Sequence, residues 1–280
     1  MLLLRGKENR MASSVATKEL TALDLIKGLS MFVMITDHVG YYFFPADLWF
    51  RAFGRIDFPV WFFLPGYSKS RAFEKSWLIG GLILVAGNLI TGYSLLPANA
   101  IFTIMLIRFS VDRIANYMLT DRLRFWAVAV VMAVLFPVTY IFFEYGSLGI
   151  IIGVFGWLCR NRDARPGGDR LARQYGVFCW LAFTALQEYM FHFDALKLAF
   201  MSLGTGMYLA ILYLYRPATF PAAAAKLGGV PAAIIRFMGR HTLEIYVFHL
   251  LLFKFIKLWY HPELLLQWHM FVGAATKAPI

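Results

Sequence analysis

Charge is scarce in this sequence, and negative charge scarcest. Of 280 residues only 15% are Asp, Glu, Lys or Arg, with 16 acids against 27 bases. Soluble domains carry about 25% charged residues. A chain this poor in charge and 60% hydrophobic does not have the surface of an ordinary water-soluble globule. Cysteine is nearly absent: Cys159 and Cys179 each fall at or within an apolar segment. Two such cysteines without metal-ligand spacing argue against a disulfide framework and a zinc site, and predict buried free thiols. No phosphate-cradling glycine loop of the Walker or dinucleotide type opens a strand. The first 20 residues contain Arg5, Lys7, Arg10 and Lys18 but no long apolar core. A cleavable signal peptide is therefore not expected there, and the first apolar span is expected to start insertion itself.

What the sequence does have is apolar runs. A bilayer core needs about 20 apolar residues in a helix. Candidate spans are 21–44, 57–67, 77–96, 98–118, 125–145, 147–159, 175–191, 194–215 and 242–259, about nine in all. The expected fold is an all-α polytopic membrane helix bundle. It has a basic N-terminal segment (1–20), one transmembrane domain (21–260) and a C-terminal tail (261–280). The net charge of +11 is then better explained by basic loops on the cytoplasmic side than by nucleic acid, and no nucleic-acid partner is expected. With a cytoplasmic N-terminus, the inside loops are 68–76, 119–124, 160–174 and 216–241. They collect Lys69, Arg71, Lys75, Arg122, Arg124, Arg160, Arg162, Arg165, Arg170, Arg173, Arg216, Lys226, Arg236 and Arg240. The outside connections near Pro97, Gly146 and residues 191–193 have no Lys or Arg. One outside loop, 45–56, breaks the pattern with Arg51 and Arg55. Those two either pair with Asp47 or Asp57 or bind an anionic group. The basic Pro/Gly stretch 160–173 reads as a linker on anionic lipid head groups.

The first span carries the densest chemistry. Ionisable groups at membrane depth are costly and tend to mark function. Asp24, Lys27, Met31 and His38 fall on one helical stripe, because spacings of 7, 11 and 14 residues return to nearly the same face. Asp37 points about 100° away from His38. His38 is a candidate general base, with a helix anchor as the bland alternative. In the last span, His249 lies on the face of Thr242 and is a candidate ligand of substrate or a satisfied bundle residue. Arg240 and Glu244 have i,i+4 spacing and are expected to pair. Arg108 is expected to pair with Asp112, Asp57 is a candidate N-cap, and Glu144 and Glu188 read as interface acids.

Two blocks resemble a known family. LDLIKGLSMFVMITDHVGYYFFP followed by FGRIDFPVWFFLPGYSKSR is similar to the TraX family of integral membrane proteins, named for the F-pilin acetylation protein. The matching features are Asp37-His38 late in the first span and Gly54-Arg55 leading to Phe58-Pro59. MGRHTLEIYVFHLLLF, residues 238–253, resembles the last helix of the acyltransferase-3 superfamily. Lys27 and His38 keep that superfamily's spacing of a basic residue and a His, with Lys in place of the usual Arg. The resemblance implies a membrane-bound O- or N-acyltransferase in a bacterial inner membrane, taking acyl-CoA, most simply acetyl-CoA, as co-substrate. The acceptor would be a glycan, a lipid-linked sugar or a protein N-terminus. His38 would be the base and Asp37 its support. Lys27, Arg55 and Arg240 would bind the donor, and Arg51 and His249 the substrate. No metal is expected. A transporter or flippase, or a non-catalytic membrane subunit, would use the same polar groups as a permeation path or as helix glue.

Overall fold

The computed structural model describes residues 19–271. Arg5, Lys7, Arg10, Lys18 and the end of the C-terminal tail lie outside that range. Within it the chain is helical, as the apolar runs predict. The helices are α1 (Ala22–Phe43), α2 (Leu48–Gly54), α3 (Val60–Tyr67), α4 (Lys75–Thr91), α5 (Ala100–Met118), α6 (Arg122–Val134), α7 (Phe136–Tyr140) and α8 (Gly146–Asn161). They continue with α9 (Gly168–Phe191), α10 (Ala195–Leu214), α11 (Pro221–Leu227), α12 (Gly229–Arg240) and α13 (Thr242–Tyr260). Two short strands, β1 (Ser94–Leu96) and β2 (His269–Phe271), pair in parallel with Ser94 opposite His269.

The described residues form two compact units: 19–32 with 215–242, and 33–214 with 243–271. In the first, α1 opens on a reciprocal cap. The Asp24 amide donates to Thr21 Oγ1 (3.0 Å) and the Thr21 amide donates to Asp24 Oδ2 (3.1 Å), so two orphan N–H groups of the helix start are satisfied. Thr21 also bridges antiparallel to Thr219. Gly239 lets α12 close on the start of α1: a Cβ there would lie 2.6 Å from the Asp24 carbonyl oxygen.

In the second unit α8 is the central helix, buried over nearly its whole length. Small residues make this possible, because without a Cβ two backbones can approach closely. A Cβ on Gly156 would meet the Phe63 carbonyl oxygen of α3 at 2.2 Å, and one on Gly66 would meet that of Gly153 at 1.9 Å. Cys159 and Cys179 are buried free thiols, as expected.

Several expected boundaries change. The run 57–67 yields only the eight-residue α3. The run 125–145 breaks near Pro137 into α6 and α7. The outside loop 45–56 contains α2, and the expected inside loop 216–241 contains α11 and α12. Among the described residues, α10 is the one helix long and apolar enough to cross a membrane. It leaves Leu196, Leu203, Met207 and Leu214 about two-thirds exposed.

Candidate functional site

Asp37 and His38 are neighbours in sequence and separate in space, because adjacent helical residues face different ways. Asp37 is buried and receives two arginines from α2 and its C-cap. Arg51 Nη1 donates to Asp37 Oδ2 at 2.7 Å and to the Asp37 carbonyl at 3.1 Å. Arg55 Nη2 lies 3.5 Å from the same carboxylate oxygen. The expected partners were Asp47 or Asp57. Asp47 instead caps α2 by accepting from the Trp49 amide (3.0 Å), and Pro59, not Asp57, occupies the N-cap of α3.

The Gly-Arg pair has a steric reason. Gly54 packs so close to α1 that a Cβ would lie 2.2 Å from Asp37 Cβ. The glycine brings Arg55 to its carboxylate. Only 2% of Arg55 is exposed, and its guanidinium lies 5.0–5.4 Å from the ring centroids of Phe58, Tyr145 and Phe191, within cation–π range. Its Nη1 also donates to the Tyr145 hydroxyl. Tyr145 has φ of 64°, a left-handed conformation that non-glycine residues rarely adopt. It starts α8, where Gly146 follows at φ 31° and a Cβ would run into Thr139.

His38 turns the other way, to His249 on α13. The two ring nitrogens, His38 Nδ1 and His249 Nε2, are 2.8 Å apart. His249 Nδ1 lies 2.6 Å from the Ile245 carbonyl. A carbonyl only accepts, so Nδ1–H of His249 is the donor there. Nε2 of neutral His249 is then an acceptor, and Nδ1–H of His38 donates to it. This leaves Nε2 of neutral His38 with its lone pair available. His249 is buried, whereas His38 is only partly so. Tyr246 lies beside both rings, its centroid 6.0 Å from His38 and 5.8 Å from His249.

In the first unit, Arg240 bonds both carboxylate oxygens of Asp24 (3.2 and 3.1 Å) and the Glu19 carbonyl (3.1 Å). Asp24 therefore takes the place expected for Glu244. Lys27 is a partly buried residue of α1 in that unit. Arg108 does not take Asp112: it bonds Ser70 and the Ala72 carbonyl, while Asp112 is held by Arg71, Arg160 and Trp157. Glu144 accepts from the Ala100 amide (2.8 Å) at the start of α5, where helix-end N–H groups favour a carboxylate.

Three residues escaped the sequence reading. Tyr145 is hidden among interface aromatics. Lys254 is buried on α13, donates to Asn88 Oδ1, and lies 5.8 Å from the Tyr93 ring centroid. Gln187 is fully buried, and among the described residues neither end of its amide has a hydrogen-bond partner. It shares a face of α9 with Phe183, whose ring neighbours Phe58, and with Phe191, whose ring lies by Arg51 and Arg55. A lone amide in an apolar helix at that spacing is the signal that could have found it.

The family model for TraX proteins matches residues 22–257, which include the carboxylate–arginine cluster and the histidine pair. The chain belongs to the TraX family. An uncharacterized protein of Rickettsia prowazekii (strain Madrid E) is 26% identical over 147 residues, which make up 52% of this chain and 59% of that relative. The chain thus spans under two-thirds of the length of the relative it matches. No solved structure matches this TraX chain.

Proposed function

We propose that this TraX protein is an integral membrane acyltransferase in which His38 is the general base. The carrying observation is the directed chain from His38 through His249 to the Ile245 carbonyl. It fixes the tautomer of His38 and leaves Nε2 to accept a proton. In the reaction, an acceptor O–H or N–H gives its proton to Nε2 as its oxygen or nitrogen attacks the thioester carbonyl of an acyl-CoA. The new O–C or N–C bond forms, the C–S bond breaks, and the proton returns from His38 to the leaving thiolate. His249 orients and polarises His38. Asp37 supports His38 indirectly: with Arg51 and Arg55 it fixes the end of α1 on which His38 sits, making these positioning residues. TraX membership and the exposed apolar face of α10 support the membrane setting, and the acyltransferase-3 resemblance of residues 238–253 supports the reaction class. Acetyl-CoA is the proposed donor. The acceptor is a glycan, a lipid-linked sugar or a protein amine.

The pairing of Asp37 with both arginines also favours a second reading, a non-catalytic membrane subunit whose ions join helices. Turnover separates the two. Purified protein in a bilayer should hydrolyse or transfer acetyl from acetyl-CoA. His38→Ala should lower the rate by about 10²–10⁴-fold, the range of general-base contributions. His249→Ala should lower it less, with some loss rescued by His249→Gln. Equal rates for wild type and His38→Ala would remove His38 from the mechanism.

A further inference from the structure

The segment that joins α10 to α13 contains α11 and α12. Between Arg216 and His241 it has four basic residues, Arg216, Lys226, Arg236 and Arg240, and no Asp or Glu. Its first residues are tied to the start of α1. The Ala22 amide donates to the Ala218 carbonyl (2.8 Å), and the Phe220 amide donates to the Leu20 carbonyl (2.8 Å). α12 then packs on α1 along one face. A Cβ on Gly28 would lie 2.4 Å from the Ile235 carbonyl oxygen, so the two helices nearly touch there. Ala232 and Gly239, on the same face of α12, are buried.

The opposite face of α12 is apolar as well. Val230, Ile234 and Phe237 recur at spacings of four and three residues, which aligns them on one side of the helix. They are 71%, 46% and 58% exposed. Phe220 and Leu227, at the two ends of α11, are exposed too. Arg236 and Arg240 stand on one flank of the stripe, and Lys226 is exposed near the end of α11. Arg240 keeps its bonds to Asp24 from that flank. A helix that is apolar on two opposite faces, with basic residues between them and no acid, is not built for water on its outer side. Nor can α12 cross a bilayer. Its 12 residues at about 1.5 Å each give about 18 Å, short of the roughly 30 Å hydrocarbon core.

We infer that α11 and α12 are docked on the inner leaflet, with Val230, Ile234 and Phe237 among the lipid chains and the basic residues at anionic phosphate head groups. An apolar stripe flanked by Lys and Arg binds such a boundary by burying apolar area and by attraction to the head groups. A second copy of the chain fits this face less well, because a symmetric contact would oppose the same positive charges. The inference rests on the membrane setting proposed above. It adds that this connection, expected from the sequence to be an inside loop, is held on lipid instead of in water. It also gives the lipid composition a hold on the start of α1, because α12 is packed against Gly28 and Arg240 grips Asp24.

The test uses the full chain in liposomes. A bimane fluorophore is attached to Phe237→Cys, and a doxyl quencher high on the acyl chain is supplied on phosphatidylcholine or on phosphatidylglycerol. Leu203→Cys on α10, where Leu203 is 68% exposed, is the comparator for lipid, and Lys69→Cys at an exposed loop position is the comparator for water. The expected result is quenching at Phe237 comparable to that at Leu203, with none at Lys69. At Phe237 the phosphatidylglycerol quencher should be preferred by about fivefold, the pull of one basic residue toward an anionic surface. Lys226→Glu should abolish that preference without changing the quenching at Leu203. Strong quenching at Leu203 with none at Phe237, whether water or a second copy covers the face, overturns the docking and leaves the membrane reading intact. No quenching at either position removes the membrane reading and the docking with it. Equal quenching at Phe237 by the two lipids overturns the role of anionic head groups. If Phe237→Cys does not fold, Val230→Cys at the most exposed position of the stripe takes its place with the same criteria.

Discussion

At the residue scale, one carboxylate holds two guanidiniums in place. Asp37→Asn would leave Arg55, 2% exposed, without its charge partner. Breaking a buried pair on one side costs about 3–5 kcal/mol, so the variant should melt well below wild type in a detergent scan. A melting point unchanged from wild type would mean that the carboxylate is not what anchors the arginines. Gln187 gives the opposite expectation. A buried polar group without a partner costs about 1–3 kcal/mol, so Gln187→Met, similar in volume, should raise the melting point. A lowered one would show that the amide is satisfied in the folded protein. The sequence made Asp37, His38, Arg51, Arg55 and His249 visible by their charge in apolar surroundings. It did not show who partners whom: His38 and His249 lie 211 positions apart, and no local rule spans that distance.

At the scale of elements, the spacing between α1 and α2 rests on an absent side chain. Gly54→Ala would put a Cβ 2.2 Å from Asp37 Cβ, and overpacking of this kind costs about 1–3 kcal/mol or more. The variant should lose stability and, by displacing the end of α1, acyl-transfer rate as well. Full activity would show that α2 can back away from α1 without consequence. Thr21→Ala, which deletes half of the reciprocal cap of α1, should cost about 1 kcal/mol. Helix existence was largely legible, since apolar runs of helical length became helices. The errors have local causes. Pro137 divides one run. The Ala/Gly/Pro-rich stretch 217–231 reads as a loop or interfacial segment, yet Pro at the first helical position and the alanines after it favour α11.

At the scale of the whole molecule, the distribution of basic residues predicts sidedness. Single cysteines at Lys69 and at His192, both exposed positions, should react with a membrane-impermeant maleimide from opposite faces of oriented vesicles. Lys69→Cys should label from the side of the N-terminus and His192→Cys from the other. Labelling of both from one side would remove the nine-span arrangement. Cys159 and Cys179 are buried and should contribute little background. The span count was harder to read than the fold class because the same apolar composition serves helices facing lipid and helices, such as α8, packed inside protein.

The histidine chain ends on a backbone oxygen, and a peptide carbonyl has no proton to release and none to pass on. The pair is a wire insulated at its far end. It can lean charge toward His38, but it cannot drain a proton away through Ile245. If His38 is the base, a proton it collects would leave by the atom that received it, toward the reactants. A catalyst so arranged would keep its proton within one turnover and hand it directly from the incoming group to the departing one.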